Sequence, residues 1–192
     1  MNVIDCRGMS CPAPVIAVKR ALEEQPELQV LLDDGAPFEN VTRFARNRGF
    51  KVSERRLEDG WAVDLTAGDS AVPQGEKAGM QEDLVLLITS DRLGDGPEDL
   101  GRLLMKNFIH TLLETRSCPT RIFFMNTGVL LSTEGSDVFE ALEKLRGMGV
   151  EVLSCGLCLD YFGLKEKPRV GETTNMLTTA ENLLTAGRVV KL

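Results

Sequence analysis

Short apolar runs and amphipathic stretches alternate over the first 66 residues. Four stretches have the length and apolar content of strands, and two have the period of helices. The strands are predicted at 3–5, 28–32, 50–57 and 61–66, and the helices at 12–24 and 37–48. The resulting order, βαβαββ, is typical of an α+β two-layer sandwich, in which one sheet carries both helices on the same side.

From residue 84 onward, continuous apolar strands alternate with longer helices. Strands are predicted at 84–89, 121–125, 150–154 and 188–192, and helices from Pro97, from an N-cap at Ser136, and over 173–186. The apolar stripe of the first helix consists of Leu100, Leu103, Leu104, Phe108 and Leu112. This alternation predicts a three-layer α/β/α domain with a mainly parallel sheet, so the chain as a whole belongs to the α/β class.

A segment without periodicity separates these two patterns. Residues 67–82 are rich in Gly, Ala and polar side chains, which is typical of a linker. We therefore predict a domain at 1–66, a linker at 67–82 and a second domain at 83–192. A flexible linker would raise the effective concentration of one reactive centre near another, and a passive tether explains the same composition.

The composition is that of an acidic globular protein, with a net charge of −7 and 43% hydrophobic residues. The negative charge argues against direct nucleic-acid binding and against binding to anionic lipid. No apolar run is long enough for a transmembrane helix, and no secretory signal pattern is present. The five cysteines occur in a chain too long to need a disulfide framework, so we expect a reducing, cytoplasmic location.

Basic residues cluster locally in the second half of the first domain. The cluster comprises Arg43, Arg46, Arg48, Lys51, Arg55 and Arg56. It is either a solvated helix-and-strand face or a docking patch for an acidic partner protein.

Cys11 is the first candidate reactive residue, because it lies immediately before Pro12, between a predicted strand and a predicted helix. Proline is favoured at the first helical position, which would make Cys11 the N-cap. Free N–H groups and the helix dipole would then lower the pKa of its thiol, and the thiolate is the nucleophile. A small buried cysteine at a helix start is the alternative. Cys6 lies nearby and could be a bystander.

The stretch from Asp5 to Pro14 resembles the signature of the TusA/SirA sulfur-carrier family, Asp-x-x-Gly-x-x-Cys-Pro-x-Pro followed by a helical lysine. The matching framework positions are Asp5, Gly8, Pro12, Pro14 and Lys19. The resemblance covers about the first 66 residues and implies the same βαβαββ fold. It also implies that Cys11 accepts a sulfane sulfur as a persulfide and relays it from a donor protein to an acceptor protein.

A second candidate site is the pair Cys155 and Cys158, which directly follows a predicted strand. In sheets of this class, ligands and chemistry gather at the carboxyl ends of strands. Two thiols at this spacing can form a disulfide, bind a metal, or divide nucleophilic and resolving roles. Zinc needs about four ligands and no second Cys-x-x-Cys exists, so we expect no metal and no cofactor. Inert burial of both thiols is a further alternative.

Residues 84–192 resemble the DsrE/DsrF-like fold, and residues 155–164 fit the version found in two-domain YedF-type proteins. Those proteins join a TusA-like domain to a DsrE-like one and are associated with selenium metabolism. The resemblance therefore implies chalcogen transfer, and it is the only feature that favours selenium over sulfur. Oligomerisation, which is frequent with the DsrE-like fold, is implied as well, and the apolar residues around the cysteine pair agree with a homo-oligomer joined through this domain.

Two further loops could bind an anion or a small ligand near the second site. The loop residues are Asp91, Gly94 and Gly96 in one segment and Asn126 and Gly128 in the other. Both loops follow predicted strands, where helix N-termini attract negative charge. Glycine-rich turns also occur at such junctions without any ligand.

Three functions follow from these observations. The first is a sulfur or selenium carrier and transferase that uses Cys11, Cys155 and Cys158. The second is a non-catalytic binding and oligomerisation module. The third is a dithiol redox sensor centred on Cys155 and Cys158.

Overall fold

The structure is a computed structural model that describes residues 2–10, 12–68, 83–115, 117–167 and 169–192. The chain forms two compact units, Met1–Lys77 and Ala78–Leu192. They are called here the N-terminal unit and the C-terminal unit. Most of the linker predicted at 67–82 lies outside the described residues.

The N-terminal unit has the predicted order βαβαββ. Its elements are β1 (Asn2–Asp5), α1 (Ala13–Glu24), β2 (Glu27–Leu32), α2 (Ala36–Asn47), β3 (Phe50–Leu57) and β4 (Gly60–Ala67). The strands lie in the order β1-β2-β4-β3, with β1 parallel to β2 and the other neighbours antiparallel. The prediction of an α+β unit is confirmed.

The core of this unit follows from strand alternation and helical periodicity. Alternate residues of β2 are fully buried, and they share a core with Val18 of α1 and with Val41 and Ala45 of α2. Gly60, at the β3–β4 turn, has φ +135°, and a Cβ there would lie 2.2 Å from the carbonyl oxygen of Leu32. Glycine is therefore required at this position, because any side chain would collide with the backbone of β2.

Helix α1 begins one residue later than predicted. The carbonyl of Pro12 accepts the first intrahelical hydrogen bond, from the N–H of Ile16 at 3.2 Å, so Pro12 is the N-cap and not the first helical residue. The N–H of Ala13 donates to the carbonyl of Ser10 at 2.9 Å. The prediction of Cys11 as N-cap is thus not supported by the described start of the helix; Cys11 itself lies outside the described residues.

The C-terminal unit alternates strands and helices. Its elements are β5 (Leu84–Ile88), α3 (Glu98–Leu112), β6 (Arg121–Phe124), a 3₁₀ helix (Asn126–Leu130), α4 (Phe139–Gly147), β7 (Glu151–Cys155), α5 (Gly156–Tyr161), β8 (Glu172–Thr174), α6 (Met176–Thr185) and β9 (Arg188–Lys191). The strand order is β8-β7-β6-β5-β9, and every neighbouring pair is parallel. The predicted parallel sheet is confirmed.

Both faces of this sheet are covered, as expected for a parallel sheet. The larger core lies on the side of α3 and α4, where Ile88, Ile122 and Phe124 are fully buried. On the opposite face Phe123 is also fully buried, packed with residues that include Leu183 of α6. The unit is therefore a three-layer α/β/α domain.

The predicted apolar stripe of α3 is wrong in part. Leu100, Leu103 and Leu104 are exposed, and the residues that α3 buries are Gly101, Met105, Ile109 and Leu112. Both sets recur with helical period, so periodicity could not choose between the two faces. Gly101 selects the observed face, because a Cβ there would lie only 2.9 Å from the side chain of Arg92.

Two further element predictions need correction. The helix predicted over 173–186 begins with a strand, β8, which pairs with β7, and the helix starts after Asn175, whose side chain accepts the N–H of Thr178. Ser136 is not the N-cap of α4, which begins at Phe139. The Ser136 hydroxyl instead accepts the N–H of Val138 at 3.3 Å, within the turn that leads into the helix.

Candidate functional sites

The end of β1 is fixed by an ion pair between two residues of the predicted motif region. The carboxylate of Asp5 accepts the backbone N–H of Arg7 at 3.1 Å and its Nε and Nη2 groups at 2.9 Å and 2.7 Å. These hydrogen bonds lower the pKa of Asp5 to about 2. Arg7 also donates through Nη1 to Asp59 at 2.5 Å, so the guanidinium joins the end of β1 to the β3–β4 turn.

Gly8 connects the motif to a second loop. Its backbone N–H donates to Oδ2 of Asp33 at 2.6 Å, and its φ of +73° suits glycine, although a Cβ there would meet no neighbour. Asp33 follows β2 directly, at the same sheet edge as the end of β1. Sequence reasoning missed Asp33; an acidic Asp33-Asp34-Gly35 turn at the end of a strand was the available signal.

Two other motif residues, Pro14 and Lys19, lie on helix α1. Pro14 is buried within the first turn of α1. Lys19 lies on the same helix, and its Nζ is 3.6 Å from Oε1 of Glu23. Cys6 is 1% exposed in the core, and burial together with the nearby Asp5 charge raises the pKa of its thiol. Cys6 is therefore a core residue. The predicted acceptor Cys11 lies outside the described residues.

A further polar cluster adjoins this edge of the N-terminal unit. Asp34 accepts hydrogen bonds from Arg56 and from Nε1 of Trp61, at 3.0 Å and 2.9 Å, and these lower the pKa of Asp34 to about 2. The Trp61 ring stacks on Phe38 with centroids 4.3 Å apart, and the Arg56 guanidinium lies 5.0 Å from the centre of Trp61. Arg46 pairs with Glu54. Part of the predicted basic cluster is thus engaged within its own unit, and a docking role for it stays a prediction.

The second candidate site lies at the carboxyl ends of β6 and β7. Cys155 is the last residue of β7 and is 5% exposed, whereas Cys158 is half-buried in α5. The pair therefore spans the end of a strand and the first turn of a short helix. Both thiols are free. Burial is the main cause that raises the pKa of Cys158, and the neighbouring Cys155 side chain raises it further. A backbone hydrogen bond partly opposes this change.

That backbone donor is the N–H of Asn126, 3.2 Å from Sγ of Cys158. Asn126 begins the 3₁₀ helix after β6, where a loop was predicted, and among the described residues it is the one non-glycine residue with a positive φ, 49°. Gly128 holds this segment against β5, because a Cβ there would lie 2.4 Å from the carbonyl oxygen of Ile88. The predicted loop around Asn126 therefore does border the cysteine pair.

The loop that begins at Asp91 joins the same edge. The backbone N–H of Asp91 donates to the hydroxyl of Thr127 at 3.2 Å, and its carboxylate accepts Nε of Arg102 at 3.1 Å. A Cβ at Gly94 or at Gly96 would meet no neighbour within 4 Å. The structure thus links Asp91, but neither glycine, to the segment that contacts Cys158.

An open groove of 570 Å³ lies beside this region, along α3. Its lining mixes apolar and charged side chains, among them Leu103, Leu130, Arg102 and Lys167. Within the described residues, no group of three or more His, Cys, Asp or Glu side chains could hold a metal ion. No helix in the described part of the chain is long and apolar enough to cross a membrane.

Comparison with known proteins identifies the N-terminal unit. Residues 2–63 match the family described as sulfurtransferase TusA. The chain is 44% identical over 55 residues to a predicted sulfur carrier protein of Methanocaldococcus jannaschii. The aligned residues make up 27% of this chain and 73% of that protein. The chain belongs to the TusA family. A predicted sulfur carrier of Archaeoglobus fulgidus is 33% identical over 64 residues, which is 31% of this chain and 83% of the relative.

Among solved structures, the chain is similar to the ychN protein from E. coli. The two are 21% identical, with a TM-score of 0.47, over 58% of this chain and 99% of that structure.

Proposed function

We propose that this protein is a chalcogen carrier whose N-terminal unit accepts a sulfane sulfur on Cys11. The observation that carries the proposal is the match of residues 2–63 to the TusA family, because the matched range includes the Cys11-Pro12 pair. The Cys11 thiolate attacks the outer sulfur of a donor persulfide, a new S–S bond forms, and the donor thiol leaves as thiolate. The sulfur keeps its oxidation level, so the transfer needs no oxidant or reductant.

The contacts around the motif support this role, since they fix the chain shortly before Cys11. Asp5 and Arg7 anchor the end of β1, and Asp33 holds the N–H of Gly8 at 2.6 Å. After Cys11, helix α1 is anchored by buried Pro14 and Val18. Residues on either side of the proposed acceptor are therefore held by contacts within the N-terminal unit.

We propose further that the C-terminal unit is a DsrE-like domain, which makes the whole protein a two-domain YedF-type carrier. An all-parallel sheet with Cys155 and Cys158 at the carboxyl ends of its strands supports this assignment. The partners are a donor protein and an acceptor protein, in the cytoplasm. Selenium is the chalcogen that the family resemblance favours, and the chemistry of the thiols accommodates sulfur equally.

Assembly into a homo-oligomer through the C-terminal unit is part of the proposal. Leu157 and Tyr161 of α5 are 77% and 83% exposed beside the cysteine pair, and large exposed apolar groups are typical of interfaces. Light scattering should give a mass above that of one chain. A strictly monomeric mass at micromolar concentration would contradict this part of the proposal.

The decisive experiment labels the protein with a sulfur donor and maps the label. The full chain is incubated with a cysteine desulfurase and ³⁵S-cysteine, digested without reductant, and each cysteine peptide is counted. We expect label on Cys11 and its loss in Cys11→Ser. Cys6→Ser serves as a matched control, since Cys6 is buried in the same unit. Undiminished total label in Cys11→Ser would contradict the carrier role of Cys11.

A further inference from the structure

We propose that Cys155 and Cys158 form a release site: Cys158 accepts a sulfane chalcogen, and Cys155 then expels it as hydrosulfide or hydroselenide by closing a disulfide. The inference rests on the proposed function only in assuming that the protein meets persulfide donors. It assigns different roles to the two thiols and names the product that leaves the protein.

Access decides which thiol meets the donor. Cys155 is 5% exposed at the end of β7, whereas Cys158 is half-buried in α5. An external persulfide must bring its outer sulfur into contact with the attacking Sγ, and a nearly enclosed sulfur cannot offer that approach. Cys158 is therefore the acceptor.

One contact of Cys158 favours negative charge on its sulfur, whereas burial, which raises the pKa of this thiol, opposes it. The backbone N–H of Asn126 points at its Sγ from 3.2 Å, and a hydrogen bond to the charged form stabilises that form. This donor is held from two sides. Gly128 packs against the end of β5, and the neighbouring Thr127 accepts the N–H of Asp91.

The buried thiol is placed to act on its neighbour. Cys155 is the N-cap of α5 and Cys158 lies three residues further along that helix, a spacing that puts the two side chains next to each other, and neither is engaged in a disulfide. Because Cys155 is enclosed by protein, the electrophile within its reach is Sγ of Cys158 when Cys158 carries the persulfide. Cys155 is therefore the resolving thiol.

The chemistry balances in two steps. First, the Cys158 thiolate attacks the outer sulfur of a donor persulfide, the donor thiol leaves, and Cys158 carries the persulfide. Second, the Cys155 thiolate attacks Sγ of Cys158; a Cys155–Cys158 disulfide forms and hydrosulfide leaves with the electron pair of the broken S–S bond. The sulfane sulfur is reduced and the two cysteines are oxidised. A dithiol reductant must then attack the disulfide to restore both thiols.

The test uses the full chain with Cys11→Ser, so that only the second site is measured, and glutathione persulfide as the donor. Loading is followed by intact mass and peptide mapping, and hydrosulfide by its capture with monobromobimane. We expect about one equivalent of hydrosulfide per protein without added reductant, together with a Cys155–Cys158 disulfide. A stable persulfide with neither product would overturn the proposal.

Two variants on this background assign the roles. With Cys155→Ala, Cys158 should keep its persulfide and hydrosulfide release should fall by at least about tenfold, because the resolving thiol is gone. With Cys158→Ser, loading of the pair should be lost; loading of Cys155 at the parent rate would overturn the assignment. Cys118→Ser, which removes a half-buried thiol of the same unit, should behave as the parent. Since Cys11 loading is measured separately on the unsubstituted chain, either proposal can fail alone.

Discussion

The two cysteine-bearing regions are held by different kinds of contact. In the N-terminal unit, the segment before Cys11 is fixed by charged side chains that stay in water: the Asp5, Arg7 and Asp59 side chains are 50%, 31% and 70% exposed. In the C-terminal unit, the cysteine pair is fixed by backbone and by close packing. The backbone N–H of Asn126 contacts Cys158, and Gly128 lets the segment that carries Asn126 pack directly against the backbone of β5.

Because the contacts differ, the two regions should respond differently to substitutions. Exposed ion pairs contribute little to stability because water screens them, but they respond to pH and to single charge changes. Tight backbone approaches tolerate no added volume, since the surrounding interior cannot yield without strain. Substitutions in the first region should therefore cause small losses of stability, and substitutions at the close backbone contacts of the second region should cause large ones.

The largest effect is expected from Gly128→Ala. A Cβ at this position would lie 2.4 Å from the carbonyl oxygen of Ile88, so the segment must move and take the N–H of Asn126 with it. We expect a loss of about 1–3 kcal/mol in the free energy of unfolding, measured by chemical denaturation. Gly96→Ala is the control, because a Cβ there meets nothing within 4 Å. Equal stability of the two variants would show that the packing at Gly128 is not rigid.

Thiol reactivity should separate Cys158 from the buried cysteine of the other unit. Because burial and the neighbouring Cys155 side chain raise the pKa of Cys158 above its ordinary value of 9.0, its alkylation by iodoacetamide should rise about tenfold per pH unit through neutral and mildly alkaline pH. Cys6, which is 1% exposed, should remain unlabelled until the protein unfolds. A reaction at Cys158 that is already independent of pH near 7 would contradict this expectation.

Asp33→Ala should have a smaller effect, of the order of 1 kcal/mol, because it leaves the N–H of Gly8 without its acceptor at a site that water can reach. Trp61 is the single tryptophan of the chain, so its fluorescence reports unfolding of the N-terminal unit alone. Asp33→Asn keeps an acceptor oxygen and should restore most of the stability. If Asn and Ala behave alike, the hydrogen bond to Gly8 is not what holds the segment.

The smallest effect concerns the exposed ion pair of Asp5. Its pKa is lowered from 3.8 to about 2 in the folded chain, so its contribution to stability is complete above pH 3.8 and is lost as the pH falls toward 2. Trp61 fluorescence should therefore show a stability difference between the parent and Asp5→Asn that is constant near neutral pH, shrinks below pH 3.8 and vanishes once the pH is below about 2. A difference that persists there would assign the effect of the substitution to packing.

Much of the fold was predictable from local pattern. The apolar run at 28–32 indicated strand β2, and the Asp5–Pro14 spacing indicated the carrier motif. The same reasoning misplaced the buried face of α3, since Leu103 and Met105 fit the helical period equally well. It also missed β8, because three residues are too few to show a period, and their strand character comes from pairing with β7.

Helical and strand periodicity and turn chemistry act over a few neighbouring residues, so the sequence alone predicted the order and type of most elements and pointed to the candidate reactive residues. Which distant groups come into contact depends on the tertiary structure. The contact of Asn126 with Cys158 joins residues 32 positions apart, and that of Gly8 with Asp33 joins residues 25 apart. Such contacts exist because parallel strands end at a common sheet edge, and that arrangement is set by the packing of the whole unit.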